Sequence, residues 1–197
     1  MADTRLPAWM KRYRRIVVAA GAGACALALT ACGSSGNLTY ADNLGPGYVK
    51  VGQLYYQVQV SRELNPFGDE DSSYLQGLTK QELVLPAADM WFGVFLQAYN
   101  TTGSPQRPAS DYYITDTLGS RFRPLKNPDP NAFSFTPANI APKGQLPAVT
   151  SLAYSGWTQG EVMLFKFPYA VYGNRPLILH IVNPANPSQQ SRIELDT

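Results

Sequence analysis

Cysteine and histidine are almost missing from this chain. Its 197 residues include two cysteines and one histidine, and no cysteine follows position 32. Beyond that point no disulfide framework, Cys/His zinc centre or thiol nucleophile can be built. A blue-copper site, which needs two His and a Cys, fails on the same stoichiometry. A Ser-His-Asp hydrolase would have to recruit His180 from inside the apolar run Leu177-Ile178-Leu179-His180-Ile181-Val182, and there is no Gly-x-Ser-x-Gly elbow. On a two-residue period His180 shares a face with Ile178 and Val182, so it is expected as a structural or surface histidine.

Charge is also scarce, at 15% of residues against about 25% in an average soluble domain. Long apolar runs are lacking: the one candidate, Ile16 to Ala31, has 16 residues, short of the roughly 20 that a spanning helix needs. Long helices are excluded by 16 prolines spread along the chain. Aromatic residues, by contrast, make up 12%, and the bulk of the chain has the composition of a folded domain.

The apolar run follows a basic start, Arg5, Lys11, Arg12, Arg14 and Arg15, and ends in Leu29-Thr30-Ala31-Cys32-Gly33-Ser34-Ser35-Gly36. Basic, then apolar, then small residues is the layout of a secretory signal. Leu29-Thr30-Ala31-Cys32 closely resembles the bacterial lipobox, which implies cleavage before Cys32 and acylation of its thiol. Cys25 would leave with the signal. An uncleaved signal anchor is the alternative, and both readings carry residues 33 onward across the cytoplasmic membrane. Residues 1–31 hold five of the 16 basic and one of the 14 acidic side chains, leaving 11 and 13, a net charge of −2. The basic stripe of a nucleic-acid binder is therefore absent, and no nucleic-acid partner is expected.

Three segments are expected: a signal peptide over 1–31, a flexible Gly/Ser/Asn-rich tether over 32–47, and one domain over 48–197. In the domain, apolar residues recur at period two. Tyr56, Val58 and Val60 mark one strand, and Phe92, Val94, Leu96 and Ala98 a second over Trp91 to Tyr99. Tyr112 to Asp116 and Arg121 to Leu125 form a hairpin about Thr117-Leu118-Gly119-Ser120. Val162 to Phe167 and Leu177 to Val182 are further strands, and Ile193 and Leu195 mark a final edge strand. The proline-rich stretch from Asn127 to Thr158 is expected as a long loop with one or two short edge strands. Short strands between turn clusters predict an all-β fold, an antiparallel β-sandwich of about seven to nine strands.

Several segments occur in a telling order. Trp91-Phe92-Gly93-Val94-Phe95-Leu96-Gln97-Ala98-Tyr99-Asn100 is followed by Asp111-Tyr112-Tyr113-Ile114-Thr115-Asp116-Thr117-Leu118-Gly119-Ser120-Arg121-Phe122. Gly160-Glu161-Val162-Met163-Leu164-Phe165-Lys166-Phe167-Pro168 and Leu177-Ile178-Leu179 come after. This order resembles the DUF4352 or telokin-like immunoglobulin-type domain of bacterial lipoproteins and secreted antigens, over residues 48–197. The resemblance implies an immunoglobulin-like sandwich and an extracytoplasmic location, and it implies no catalytic residues and no cofactor.

Two candidate sites remain. Asp69-Glu70-Asp71, after the turn Asn65-Pro66-Phe67-Gly68, is part of an oxygen-ligand calcium site with Asn65 or backbone carbonyls, or a solvated acidic loop, or the N-terminal charge cluster of a short helix that starts near Ser72. Tyr154, Trp157, Tyr169 and Tyr172 lie in or beside loops and are candidates for a binding surface. Asp89, Asp111, Asp116 and Glu161 fall at strand ends or turns and cannot be paired into a glycosidase-type site from sequence, Asp111 and Asp116 being expected to open and close a hairpin strand. The expectation is a non-catalytic interaction module, held to the membrane by a lipid on Cys32 and partnered by an envelope protein. The alternative is a lipoprotein that binds a glycan or a divalent cation.

Overall fold

Two five-stranded sheets face each other across the main core. The computed structural model describes residues 39–41 and 47–195. The signal segment, the lipobox Leu29-Thr30-Ala31 and Cys32 lie outside these residues. The described residues all belong to one compact unit, Gly36–Thr197.

The first sheet runs in the order β1 (Thr39–Ala41), β10 (Gln190–Leu195), β9 (Leu177–Val182), β5 (Asp111–Thr115) and β6 (Arg121–Phe122). The second runs β2 (Val49–Val51), β3 (Leu54–Leu64), β4 (Asp89–Asn100). Beyond β4, β8 (Glu161–Pro168) pairs with residues 89–96 and β7 (Gln145–Leu146) with Ala98 and Tyr99. All pairings of named strands are antiparallel except β1 with β10. The expected antiparallel β-sandwich is thus what the chain forms.

The period-two faces explain the packing. Phe92, Val94, Leu96 and Ala98 of β4 point into the core with Tyr56 and Val58 of β3, against Ile114, Leu179, Ile181 and Ile193 of the first sheet. β4 is buried on its other face as well, where Trp91 and Phe95 join a second cluster. Its nearly continuous apolar run is the signature of a strand covered on both sides.

Val60 departs from the expected pattern. Val58 lies opposite Leu96 and Val60 opposite Phe95, so Gln59 is an extra residue in a β-bulge. One inserted residue reverses the alternation. Val60 therefore packs on the second cluster, away from the face of Tyr56 and Val58.

The hairpin turns where expected, with Ile114 opposite Phe122 and Thr115 opposite Arg121. Asp116 organises it: its Oδ1 accepts the N–H groups of Leu118 (3.0 Å) and Ser120 (2.8 Å). Gly119 takes φ +82°, the left-handed conformation the turn demands. The second strand is shorter than expected. After Phe122 the chain leaves β5, and Leu125 N–H donates to Leu164 of the other sheet at 2.7 Å. There the proline-rich segment covers the free edge of β8: Phe135 N–H donates to Val162 and Val162 N–H to Phe133 (2.9 and 2.7 Å). Covering an exposed edge in this way removes a template for unwanted pairing.

At the opposite margin, β10 is not an edge strand. Thr39–Ala41, three residues of the expected tether, pair with it in parallel.

Candidate functional site

The outer face of the second sheet carries a cap built from two separate pieces of sequence. α1 (Asp69–Tyr74) and the turns after it bring Tyr74, Leu75 and Leu78 onto Trp91, Phe95, Val162 and Leu164. Phe133, from the proline-rich segment, completes this cluster. Tyr74 meets Phe95 and Phe133 edge-on, at ring distances of 5.0 and 5.2 Å. Each large side chain buried here stabilises by about 1.5–3 kcal/mol relative to exposure.

Asn131 ties the two pieces together. Its side-chain amide reaches the carbonyls of Ser73 (3.3 Å), Tyr74 (3.2 Å) and Gln76 (2.8 Å), at and just after the end of α1, where carbonyls lack helical partners. Asn127 Nδ2 also donates to Gln76 O at 3.2 Å. Gly77, at φ +87°, lies so close to this segment that a Cβ there would sit 1.8 Å from the Asp129 carbonyl oxygen.

The three acidic residues occupy the first turn of α1, which starts at Asp69 and not near Ser72. They point to different places. Asp71 is buried, bound by the two terminal nitrogens of the Arg62 guanidinium (2.6 and 2.9 Å) and by the Asn65 N–H at 2.7 Å. Burial alone would raise its pKa, but the hydrogen bonds from Arg62 and Asn65 and the Arg62 charge bring it below the ordinary carboxylate value. Glu70 Oε1 accepts from the Tyr74 hydroxyl (2.7 Å) and the Thr158 hydroxyl (2.9 Å), with Arg62 at 3.5 Å. Asp69 is exposed. Among the described residues, no three His, Cys, Asp or Glu side chains group as a metal site.

The aromatic candidates separate in the same way. Trp157, after α2 (Leu152–Ser155), is 96% exposed. With Leu152, Tyr74, Phe133, Asp69 and Glu70 it lines a hollow of about 680 Å³. The fold thus unites two features that are about 90 positions apart in the sequence. Tyr169 opens the 3-10 turn Tyr169–Asn174, donates its hydroxyl to Glu63, and lines a different hollow of about 630 Å³ with Phe67, Leu75 and Trp91. Tyr172 packs on the main core beneath the Arg175 guanidinium, 4.6 Å from its ring centre. Tyr154 lines neither hollow.

Phe67, 93% exposed in the second hollow, was not among the sequence candidates. Its signal was present, an aromatic held between Pro66 and Gly68 in a turn.

His180 is buried on the outer face of the first sheet. Its Nε2 lies 2.9 Å from Thr115 Oγ1 and its Nδ1 3.3 Å from Gln190 Oε1. The ring stacks on Tyr113 at 4.3 Å, and the Arg121 guanidinium lies 4.0 Å from the centre of that Tyr113 ring. Burial pushes its pKa down to about 4, so the ring is neutral at physiological pH. Glu161 is half-buried at the start of β8, and burial raises its pKa to about 7 against a single backbone hydrogen bond from Thr136 at 3.3 Å. Asp111 pairs with Arg123 at 2.5 Å and Asp116 caps the hairpin. Asp111, Asp116 and Glu161 thus serve separate local structures, and Asp89 lines the hollow of Tyr169.

No helix among the described residues is long and apolar enough to cross a membrane. No family model matches the chain, and no curated protein matches it. Solved structures of similar architecture exist. An uncharacterised β-sandwich protein from Clostridium difficile 630 aligns with TM-score 0.44 and 9% identity, over 83% of this chain and 99% of that one. The candidate lipoprotein ycdA of Bacillus subtilis subsp. subtilis str. 168 aligns with TM-score 0.47 and 9% identity over 76% of this chain, which spans 38% of ycdA. The yjhA protein of Bacillus subtilis aligns with TM-score 0.43 and 7% identity, over 81% of this chain and all of that one.

Proposed function

We propose that this chain is a lipid-anchored, extracytoplasmic, non-catalytic interaction module of the bacterial cell envelope, of the kind its resemblance to DUF4352 or telokin-like immunoglobulin-type domains implies. The anchor rests on the sequence alone: a basic start, a 16-residue apolar run and Leu29-Thr30-Ala31-Cys32. Acylation of Cys32 supplies more than one chain, which stable membrane anchoring needs.

One observation carries the interaction reading. Phe67 and Trp157 are 93% and 96% exposed, each beside a hollow, on the cap that flanks α1. Large aromatics exposed on a folded surface are favoured anchors for a protein partner. The cation alternative has less behind it, because the carboxylate of Asp71 is already engaged by Arg62 and Asn65.

The test is photo-cross-linking in intact cells, with a benzophenone amino acid placed at Trp157, at Phe67, and at exposed Leu118 of the hairpin turn as control. The expected result is one envelope protein captured from positions 157 and 67 and not from 118. Capture of no protein from either cap position overturns the module reading.

A further inference from the structure

The lining of the hollow beside Trp157 narrows its occupant. Part of it is apolar: the exposed indole and Leu152, itself 60% exposed, with the rings of Tyr74 and Phe133. Asp69, Glu70 and Ser73 also line it, and among the described residues no lysine or arginine does. Arg62 Nη2 forms an ion pair with Glu70 at 3.5 Å, while Nη1 and Nη2 both hydrogen-bond to Asp71. The Asp69 carboxylate has no ion pair or hydrogen bond among the described residues, although its backbone carbonyl accepts from Ser72 Oγ. Glu70 is held in place by the Tyr74 and Thr158 hydroxyls, which donate to it.

These features select by charge and by shape. The face of an indole attracts a cation, and a carboxylate beside it supplies a charge-assisted hydrogen bond. Apolar walls accommodate the methylene stem of a long basic side chain. A neutral apolar occupant would desolvate Asp69 and Glu70 without replacing their water, and an acidic one would be repelled.

We infer that the hollow bounded by Trp157, Leu152, Asp69 and Glu70 receives a lysine or arginine side chain of the protein partner. Its stem lies along Leu152 and Trp157 and its charged head between the indole and the two carboxylates. This assignment rests on the interaction-module reading above and specifies the chemistry of that partner.

The experiment uses the full-length lipoprotein in detergent and three amidated, acetylated pentapeptides, Leu-Arg-Leu-Lys-Leu, Leu-Gln-Leu-Gln-Leu and Leu-Glu-Leu-Asp-Leu. The Trp157 indole N–H resonance reports binding, identified by its loss in Trp157→Phe. The basic peptide is expected to shift it saturably, with an affinity that falls as salt is raised, while the neutral and acidic peptides leave it unmoved. Asp69→Asn together with Glu70→Gln should weaken the basic peptide about tenfold, and Trp157→Ala by a similar factor. Equal response to the neutral peptide, or none to the basic one, overturns the inference. Cross-linking from position 157 separates this failure from that of the broader reading. A partner captured through a segment without basic residues refutes the lysine or arginine assignment and leaves the interaction module standing.

Discussion

Arg62 grips Asp71 with both arms of its guanidinium, Nη2 to Oδ1 at 2.6 Å and Nη1 to Oδ2 at 2.9 Å. The pair joins the end of β3 to the buried side of α1, and the Asn65 N–H adds a third bond to the same carboxylate. The most acidic stretch of the chain is thereby part of the cap's foundation. Only Asp69 and Glu70 face the hollow.

Breaking this pair should loosen the cap first. Arg62→Ala leaves a buried carboxylate with one backbone donor and should cost about 1–3 kcal/mol, with Asp71→Asn at the lower end. Equilibrium denaturation followed by tryptophan fluorescence measures it, because Trp91 lies under the cap. A loss below about 0.5 kcal/mol would mean that the pair behaves as an ordinary surface salt bridge.

Asn131 and Gly77 hold the two pieces of the cap together. Asn131→Ala removes the donor shared by three helix-end carbonyls and should cost about 1–2 kcal/mol. Gly77→Ala forces the chain away from Asp129 and abandons a favourable positive φ, for a comparable or larger loss. Hydrogen exchange should rise in residues 70–78 and 127–134 in both variants while β5, β9 and β10 stay protected. Uniform loss of protection would show that the cap and sandwich unfold as one unit.

Glu161 and His180 make opposite contributions to pH dependence. Glu161 titrates near 7 when folded against an ordinary 4.5, so the folded state holds a proton that the unfolded chain releases. Its contribution to stability therefore falls as pH rises from about 4.5 to 7. For His180, about 4 when folded against 6.5, the unfolded chain takes up the proton first. Stability from that source is present above 6.5 and is lost as pH falls through 4. The two slopes oppose each other over their shared range. Glu161→Gln should leave a stability that rises between pH 4 and 6.5 and gain about 1–2 kcal/mol above pH 7, allowing for partial solvent access. His180→Gln should leave a stability that falls between pH 4.5 and 7. Thermal melts across pH 4–8 separate the two, and parallel profiles for wild type and Glu161→Gln would rule out the raised carboxyl.

Cys32→Ser should move the protein from the membrane fraction to the soluble extracytoplasmic fraction with an unchanged melting temperature. Fractionation with palmitate labelling tests this. Retention of the variant in the membrane would favour the uncleaved signal anchor.

How much was legible in advance follows from the range of the interactions involved. Alternation in Phe92-x-Val94-x-Leu96-x-Ala98 reports burial on one face, and Asp116-x-x-Gly119 encodes its turn through bonds four residues apart or fewer. Such short-range signals determined the sandwich, the hairpin and the alternation around His180, and the scarcity of cysteine and histidine alone excluded whole classes of chemistry. The bulge at Gln59 left no mark, because an extra residue changes which face is buried without changing composition. Nor could the sequence foretell that Asn131 would cap a helix more than fifty positions earlier, or that Asp69 and Trp157 would border one hollow. Those relations exist only because the double-sided burial of β4 draws two distant loops onto the same face of one sheet. The tertiary structure decided them, since the free energy that holds the cap comes from apolar contact across the sheet, where sequence separation has no meaning.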